Sequence, residues 1–166
     1  MNKKMVTAFA LILVLSALAL AVTAKPDFNG SWTMDRSRSF GLPGDMQQTL
    51  TIAQTEEKID VETKLSQPNN ERSVKDTYIL DGKEHEFTPN VAPGQPVPKG
   101  KRTTTWLPNN TGIIVTEVTT AETPKGPTST QIVRKWTLSS LGELVIDSYV
   151  DSPTVSYEAK RIFLKK

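Results

Sequence analysis

Lys58-Ile59-Asp60-Val61-Glu62-Thr63-Lys64-Leu65 alternates without a break. Ile59, Val61, Thr63 and Leu65 fall on one side of an extended chain, and Lys58, Asp60, Glu62 and Lys64 on the other. Successive side chains of a strand point to opposite faces, so this stretch reads as a strand with one face buried and one in water. The same rhythm runs outward from it in both directions. Towards the N-terminus, Leu50 and Ile52 alternate with Thr49, Thr51 and Ala53, and Phe28, Gly30, Trp32 and Met34 share one face of a first strand. Towards the C-terminus come Val74 to Leu80, Arg102 to Leu107, Ile113 to Val118, Ile132 to Leu138, Leu144 to Val150 and Val155 to Leu164. Threonine is frequent throughout, as half-exposed pleated surfaces favour.

Turn chemistry separates these runs at Glu56-Glu57, Gln67-Pro68-Asn69-Asn70, Asp81-Gly82, Pro108-Asn109-Asn110, Pro124-Lys125-Gly126-Pro127, Leu141-Gly142 and Ser152-Pro153. Short connectors between closely spaced strands predict an antiparallel meander. Parallel strands would need crossover helices, and no helical periodicity follows Ala24. The expected fold is all-β: an up-and-down barrel of about eight to ten strands, with a two-sheet sandwich as the alternative. Two segments interrupt the rhythm. Asp35 to Asp45 is a long polar connector, and Thr88 to Gly100 carries Pro89, Pro93, Pro96 and Pro98. A loop of that length is either a lid over a site or an insertion.

The N-terminus reads as an export signal. Lys3 and Lys4 precede an apolar run from Met5 to Val22, and Val22-Thr23-Ala24 offers small or apolar side chains where signal peptidase needs them. Cleavage is expected after Ala24, leaving residues 25–166 as a single domain. The run of roughly 18 residues is near the lower limit of the ~20 that span a bilayer, which makes a retained anchor the rival reading; once cleaved, the protein is expected to have no stable membrane anchor. The chain has 20 Lys plus Arg and 18 Asp plus Glu; losing Lys3 and Lys4 with the leader makes the remainder formally neutral. A neutral domain with scattered lysines has no electrostatic footprint for nucleic acid. The absence of cysteine removes thiol nucleophiles, zinc–thiolate sites and a disulfide framework. It also points to a secreted or periplasmic bacterial protein rather than a small animal secreted domain.

Phe28-Asn29-Gly30-Ser31-Trp32 places a G-x-W at the start of the first strand, and this resembles the opening of calycin barrels, the lipocalins, avidins and their relatives. With Asp35, and with Trp136-Thr137-Leu138 near the end, the chain is similar to secreted bacterial lipocalin-like proteins of unassigned function that begin F-x-G-x-W-x-x-D. The resemblance implies a barrel whose Trp32 closes one end beneath a basic residue of the last strand. Arg161 is the expected partner, because it shares a face with Tyr157, Ala159 and Phe163, and an arginine on an apolar face needs a stacking or pairing reason. The second lipocalin motif is echoed only loosely, in Ile146-Asp147-Ser148-Tyr149. Neither Trp106 nor Trp136 aligns with the biotin-binding tryptophans of avidins, so no ligand carries over.

Catalytic chemistry is sparse. His85 is the sole histidine, which rules out a histidine cluster for a metal, and nothing local completes a Ser–His–acid triad. No cofactor or metal is expected. Arg134 lies in phase with Ile132, Trp136 and Leu138, and either pairs with an interior acid or receives a ligand carboxylate. Glu117 shares a face with Ile113 and Val115, and Asp147 with Val145 and Tyr149. The plainer reading sends both acids to solvent, with Ile114, Thr116 and Val118 inward. The other places Glu117 inside, as a ligand contact or as an acid–base group. Arg134, Trp136, Tyr149 and Glu117 are therefore the candidate ligand-binding residues, and Gly30, Trp32 and Arg161 the structural signature. The expectation drawn from fold analogy is a binding protein for a small hydrophobic or amphipathic molecule. A hydrolase or isomerase using Arg134 and an interior carboxylate, and an interaction module with a filled core, are the alternatives.

Overall fold

The computed structural model describes residues 24–41, 45–68, 70–91, 97–124 and 126–166. The expected leader lies outside the described residues except for Ala24, as do 42–44 and 92–96 in the two long loops. The strands are β1 (Gly30–Met34), β2 (Gln47–Gln54), β3 (Lys58–Gln67), β4 (Asn70–Ile79), β5 (Glu84–Phe87), β6 (Lys99–Trp106), β7 (Gly112–Thr123), β8 (Gly126–Leu138), β9 (Leu144–Asp151) and β10 (Ser156–Lys165). Their order in the sheet is β4-β3-β2-β1-β10-β9-β8-β7-β6-β5. Every ladder is antiparallel, and β1 pairs with β10 through Trp32↔Lys165, Thr33↔Leu164 and Met34↔Phe163. This pairing of the first and last strands makes a nearly closed up-and-down barrel and removes the sandwich alternative. The seam that stays open lies between β4 and β5, neighbours in sequence that share no ladder.

Alternation along the strands fixes what faces inward. Register sets Leu50 beside Trp32 and Thr63, Val61 beside Ile52 and Asp76, and Trp136 beside Ile113 and Ile146. One end of the barrel is solid. Phe28, Trp32, Ile52, Ile59, Tyr78, Ile113, Trp136, Leu144 and Phe163 are all buried there. Each aliphatic or aromatic side chain so buried contributes about 1.5–3 kcal/mol. Phe28 lies just before β1 and plugs this end, with its ring edge-on to Trp136 at 6.2 Å. Its carbonyl accepts from Trp32 Nε1 at 2.9 Å, so the indole N–H is satisfied while its rings are buried.

The cation over Trp32 is Lys165 and not Arg161. Lys165 is the cross-strand partner of Trp32, and its Nζ lies 5.3 Å from the indole centroid. Arg161 sits four residues earlier on β10, about 13 Å away at ~3.3 Å per residue, beside Ile146. Gly30 explains the choice. Its φ is +123°, and a Cβ there would meet Lys165 Cε at 3.0 Å. The missing side chain of the G-x-W is what lets the lysine stem lie across the end of the barrel.

Candidate ligand cavity

Four charged residues meet inside the barrel, on four strands. Glu117 of β7 is 4% exposed. One of its oxygens accepts from Arg102 of β6, at 2.7 Å from Nε and 2.6 Å from Nη2, and the other from Arg134 Nη1 of β8 at 2.6 Å. Arg102 also donates to Asp76 of β4 at 2.7 Å and to the Thr77 carbonyl at 2.9 Å. Its guanidinium lies 4.4 Å from the Tyr78 ring centroid and 4.2 Å from that of Phe87. Phe87 fits there because Gly100 opposite has no Cβ; one would stand 2.7 Å from the ring. Burial pushes the Tyr78 hydroxyl up to about 12, the nearby Arg134 and Arg102 opposing that shift. The guanidinium of Arg134 is held more firmly protonated than usual. Burial works against its charge and is the largest single influence, but the attraction of Glu117, Tyr78 and Asp76 together outweighs it.

Above this cluster is a cavity of about 280 Å³, open on one side. Leu50, Val61, Thr63, Leu65 and Val74 on β2–β4 make an aliphatic wall. Arg134, Trp136, Ile146 and Arg161 face it from β8–β10, and Met46, Gln48, Arg72 and Asn90 surround it. Arg161 differs from the other interior arginines. Its Nε is sealed from water without a hydrogen-bond partner, and no carboxylate among the described residues pairs with it. Burial lowers its pKa, and repulsion from Arg134 lowers it further.

The candidate residues fare unequally. Arg134 and Trp136 line the cavity, and Arg134 pairs with the interior acid Glu117. Glu117 is inside, contrary to the solvent-facing reading, because Ile113 and Val115 rather than Ile114 and Val118 are the buried set of β7. It stands behind Arg134 with both oxygens taken and does not line the cavity. Tyr149 is a correction. It is 46% exposed on the outer face of β9, because Leu144, Ile146 and Ser148 alternate inward. Asp147 is outside, 3.4 Å from Lys160. His85 bonds Asp81 at 2.9 Å on the surface, and no group of three metal-ligating side chains occurs among the described residues. Arg102 was missed. It is in phase with Gly100, Thr104 and Trp106, the same signal that marked Arg134. Asn90 brings the start of the Pro-rich loop to the cavity.

Ten antiparallel strands in sequence order, curled around a cavity with Arg134 and Arg161 on one wall and a partly aliphatic β2–β4 wall that also carries Arg72 and Asp76, define a nearly closed up-and-down β-barrel with an interior space of ligand size. Among solved structures the chain is similar to the REP1-NXSQ fatty acid transporter, at 10% identity over 83% of this chain and 95% of that one, with a TM-score of 0.53. It also aligns with secretory abundant heat soluble protein 4 from Ramazzottius varieornatus, at 17% identity over 87% of this chain and 97% of that one, with a TM-score of 0.48. The first of these likenesses is one of fold alone. No protein-family model matches the chain, and no curated protein matches its sequence.

Proposed function

We propose that this protein is an exported, non-catalytic carrier of the lipocalin-like kind that holds one amphipathic anion inside its barrel. The observation that carries the reading is Arg161. Three interior guanidiniums, Arg102, Arg134 and Arg161, face two carboxylates, Asp76 and Glu117, and Arg161, the one left without a carboxylate, stands on the cavity wall. A half-buried guanidinium with its Nε sealed from water and no counter-ion carries a desolvation cost, and a bound carboxylate would relieve that cost with a forked pair of hydrogen bonds. The aliphatic wall opposite suits a hydrocarbon tail. A volume of 280 Å³ is about nine waters at ~30 Å³ each, which matches an amphiphile of roughly ten heavy atoms. The name of the fatty acid transporter with a similar fold agrees with this chemistry. Calorimetric titration with decanoate, decanol and decylammonium tests it. Decanoate alone should bind well, and Arg161→Gln should weaken it about tenfold or more, as loss of a charged hydrogen bond does. Arg161→Gln should leave the empty protein no less stable, because no ion pair is lost. Equal binding of the three amphiphiles, or of none, would sink the proposal.

A further inference from the structure

Around the barrel, each neighbouring pair of strands is held by a backbone ladder except β4 and β5. Among the described residues, what crosses that seam is largely one side chain. Arg102 reaches from β6 to the Asp76 carboxylate and the Thr77 carbonyl of β4, and is clamped between Tyr78 of β4 and Phe87 of β5. One backbone bond, from Gly82 N to Thr104 O at 3.1 Å, ties the β4–β5 connector to β6 below it.

The seam has space on both sides. Inside, the cavity lies along the inner face of the edge strand, against Arg72, Val74, Asp76 and Tyr78. Outside, a crevice of about 250 Å³ is bounded by Thr77, Phe87, Arg102 and Thr104. Asp76 and Tyr78 wall the first, and Arg102, bonded to Asp76 and stacked on Tyr78, walls the second. Arg102 and its two partners therefore stand between the two spaces. Opening the barrel at any other junction would break a main-chain ladder.

We propose that the β4–β5 seam is a side gate to the cavity and that Arg102 is its latch, an inference that rests on the cavity being a ligand site. Its carboxylate holdfast is shared with the site: Glu117 fixes Arg102 with one oxygen and Arg134 with the other. The gate and the cationic wall thus stand on one residue, while Asp76 belongs to the moving side.

Stopped-flow binding of decanoate, followed through tryptophan fluorescence because Trp136 lines the cavity, tests the gate. Asp76→Asn keeps the shape of the holdfast and removes its charge. A gate that opens more often raises entry and exit together, so both rate constants should rise about fivefold; losing the Asp76 charge from the cavity wall also favours the anion, so the joint rise, and not an unchanged Kd, is the readout. Arg102→Lys, which cannot fork between Asp76 and Glu117, should do the same. Faster exit with unchanged entry would reduce Asp76 to a wall residue and overturn the gate. So would rates that respond to Arg72→Gln at the rim and ignore Asp76→Asn, because the mouth would then be the route. The empty protein gives an independent reading. Amide exchange at Gly82 should accelerate in Asp76→Asn while Trp136 in β8 is unchanged, and equal exchange at Gly82 overturns the latch. If decanoate fails to bind while Gly82 responds, the seam opens but the ligand-site reading falls, and the gate falls with it.

Discussion

Replacing Glu117 by glutamine keeps the shape of the side chain and removes the charge that holds two guanidiniums. Glu117 is 4% exposed and accepts from Arg102 at 2.7 and 2.6 Å and from Arg134 at 2.6 Å. Removing one partner of a buried ion pair costs about 3–5 kcal/mol, because the remaining charge keeps its desolvation penalty and loses its compensation. Arg102 would still have Asp76 and the Thr77 carbonyl, whereas Arg134 would lose its only carboxylate. The expected loss is therefore at the lower end, about 3 kcal/mol, or roughly 12 °C in Tm at about 4 °C per kcal/mol for a domain of this size. Urea unfolding followed by far-ultraviolet circular dichroism measures it, with the slope m unchanged if only the native state is affected. Adding Arg134→Met to Glu117→Gln removes the stranded charge and should recover about 1–2 kcal/mol. A loss under about 1 kcal/mol for the single change, or strictly additive losses for the pair, would refute the picture of a desolvated interior network.

Trp32→Ala should cost about 3–5 kcal/mol through the cavity it leaves, while Lys165→Ala should cost only about 0.5–1 kcal/mol for an exposed cation–π contact, both read by urea unfolding. Gly30→Ala should cost about 1–3 kcal/mol by the same measurement, through the strained φ and the displaced lysine stem; no loss would detach the G-x-W glycine from this role. Tyr78 should ionise at about 12 in spectrophotometric titration. Its folded pKa lies above the unfolded value near 10, so the stability it contributes is complete below that pH and is lost as the pH rises towards 12. Alkaline melts of Tyr78→Phe should show a smaller loss over that window. For export, material recovered outside the bacterial cytoplasm should begin at Lys25 on N-terminal sequencing, and membrane-bound material beginning at Met1 would contradict it.

Strand identity was legible because each strand has one dry face and one wet face. Ile59 to Leu65 and Leu144 to Val150 show that difference directly, and both became strands. Side assignment failed where both faces carry β-branched residues. In β7, Ile113, Val115 and Glu117 compete with Ile114, Thr116 and Val118, and composition favours sending the acid outward. What holds Glu117 inside is two arginines on other strands, and pairing between strands leaves no mark in local alternation. The Trp32 contact failed for a related reason. Phase along β10 selects Arg161 and Lys165 equally, and only the register of β10 against β1 separates them. Arg102 could have been found by the rule that found Arg134, an arginine in step with a buried tryptophan phase. The open seam had one local hint, the brevity of β5 before a Pro-rich loop.

Closure by β1 against β10 also governs when the protein can fold. Trp32 and Met34 stay without partners along that edge until Phe163 and Lys165 arrive, nearly the whole chain later. Meanders such as β2–β3–β4 and β7–β8–β9 can form locally as they appear. The solid end of the barrel, where Phe28 and Phe163 meet the same core, has to wait for both extremities. Contacts so distant in sequence make folding slow, because the entropy of ring closure is lost before the contacts repay it. A chain that emerges N-terminus first therefore stays unlocked through almost all of its emergence, a property that suits passage through a narrow channel.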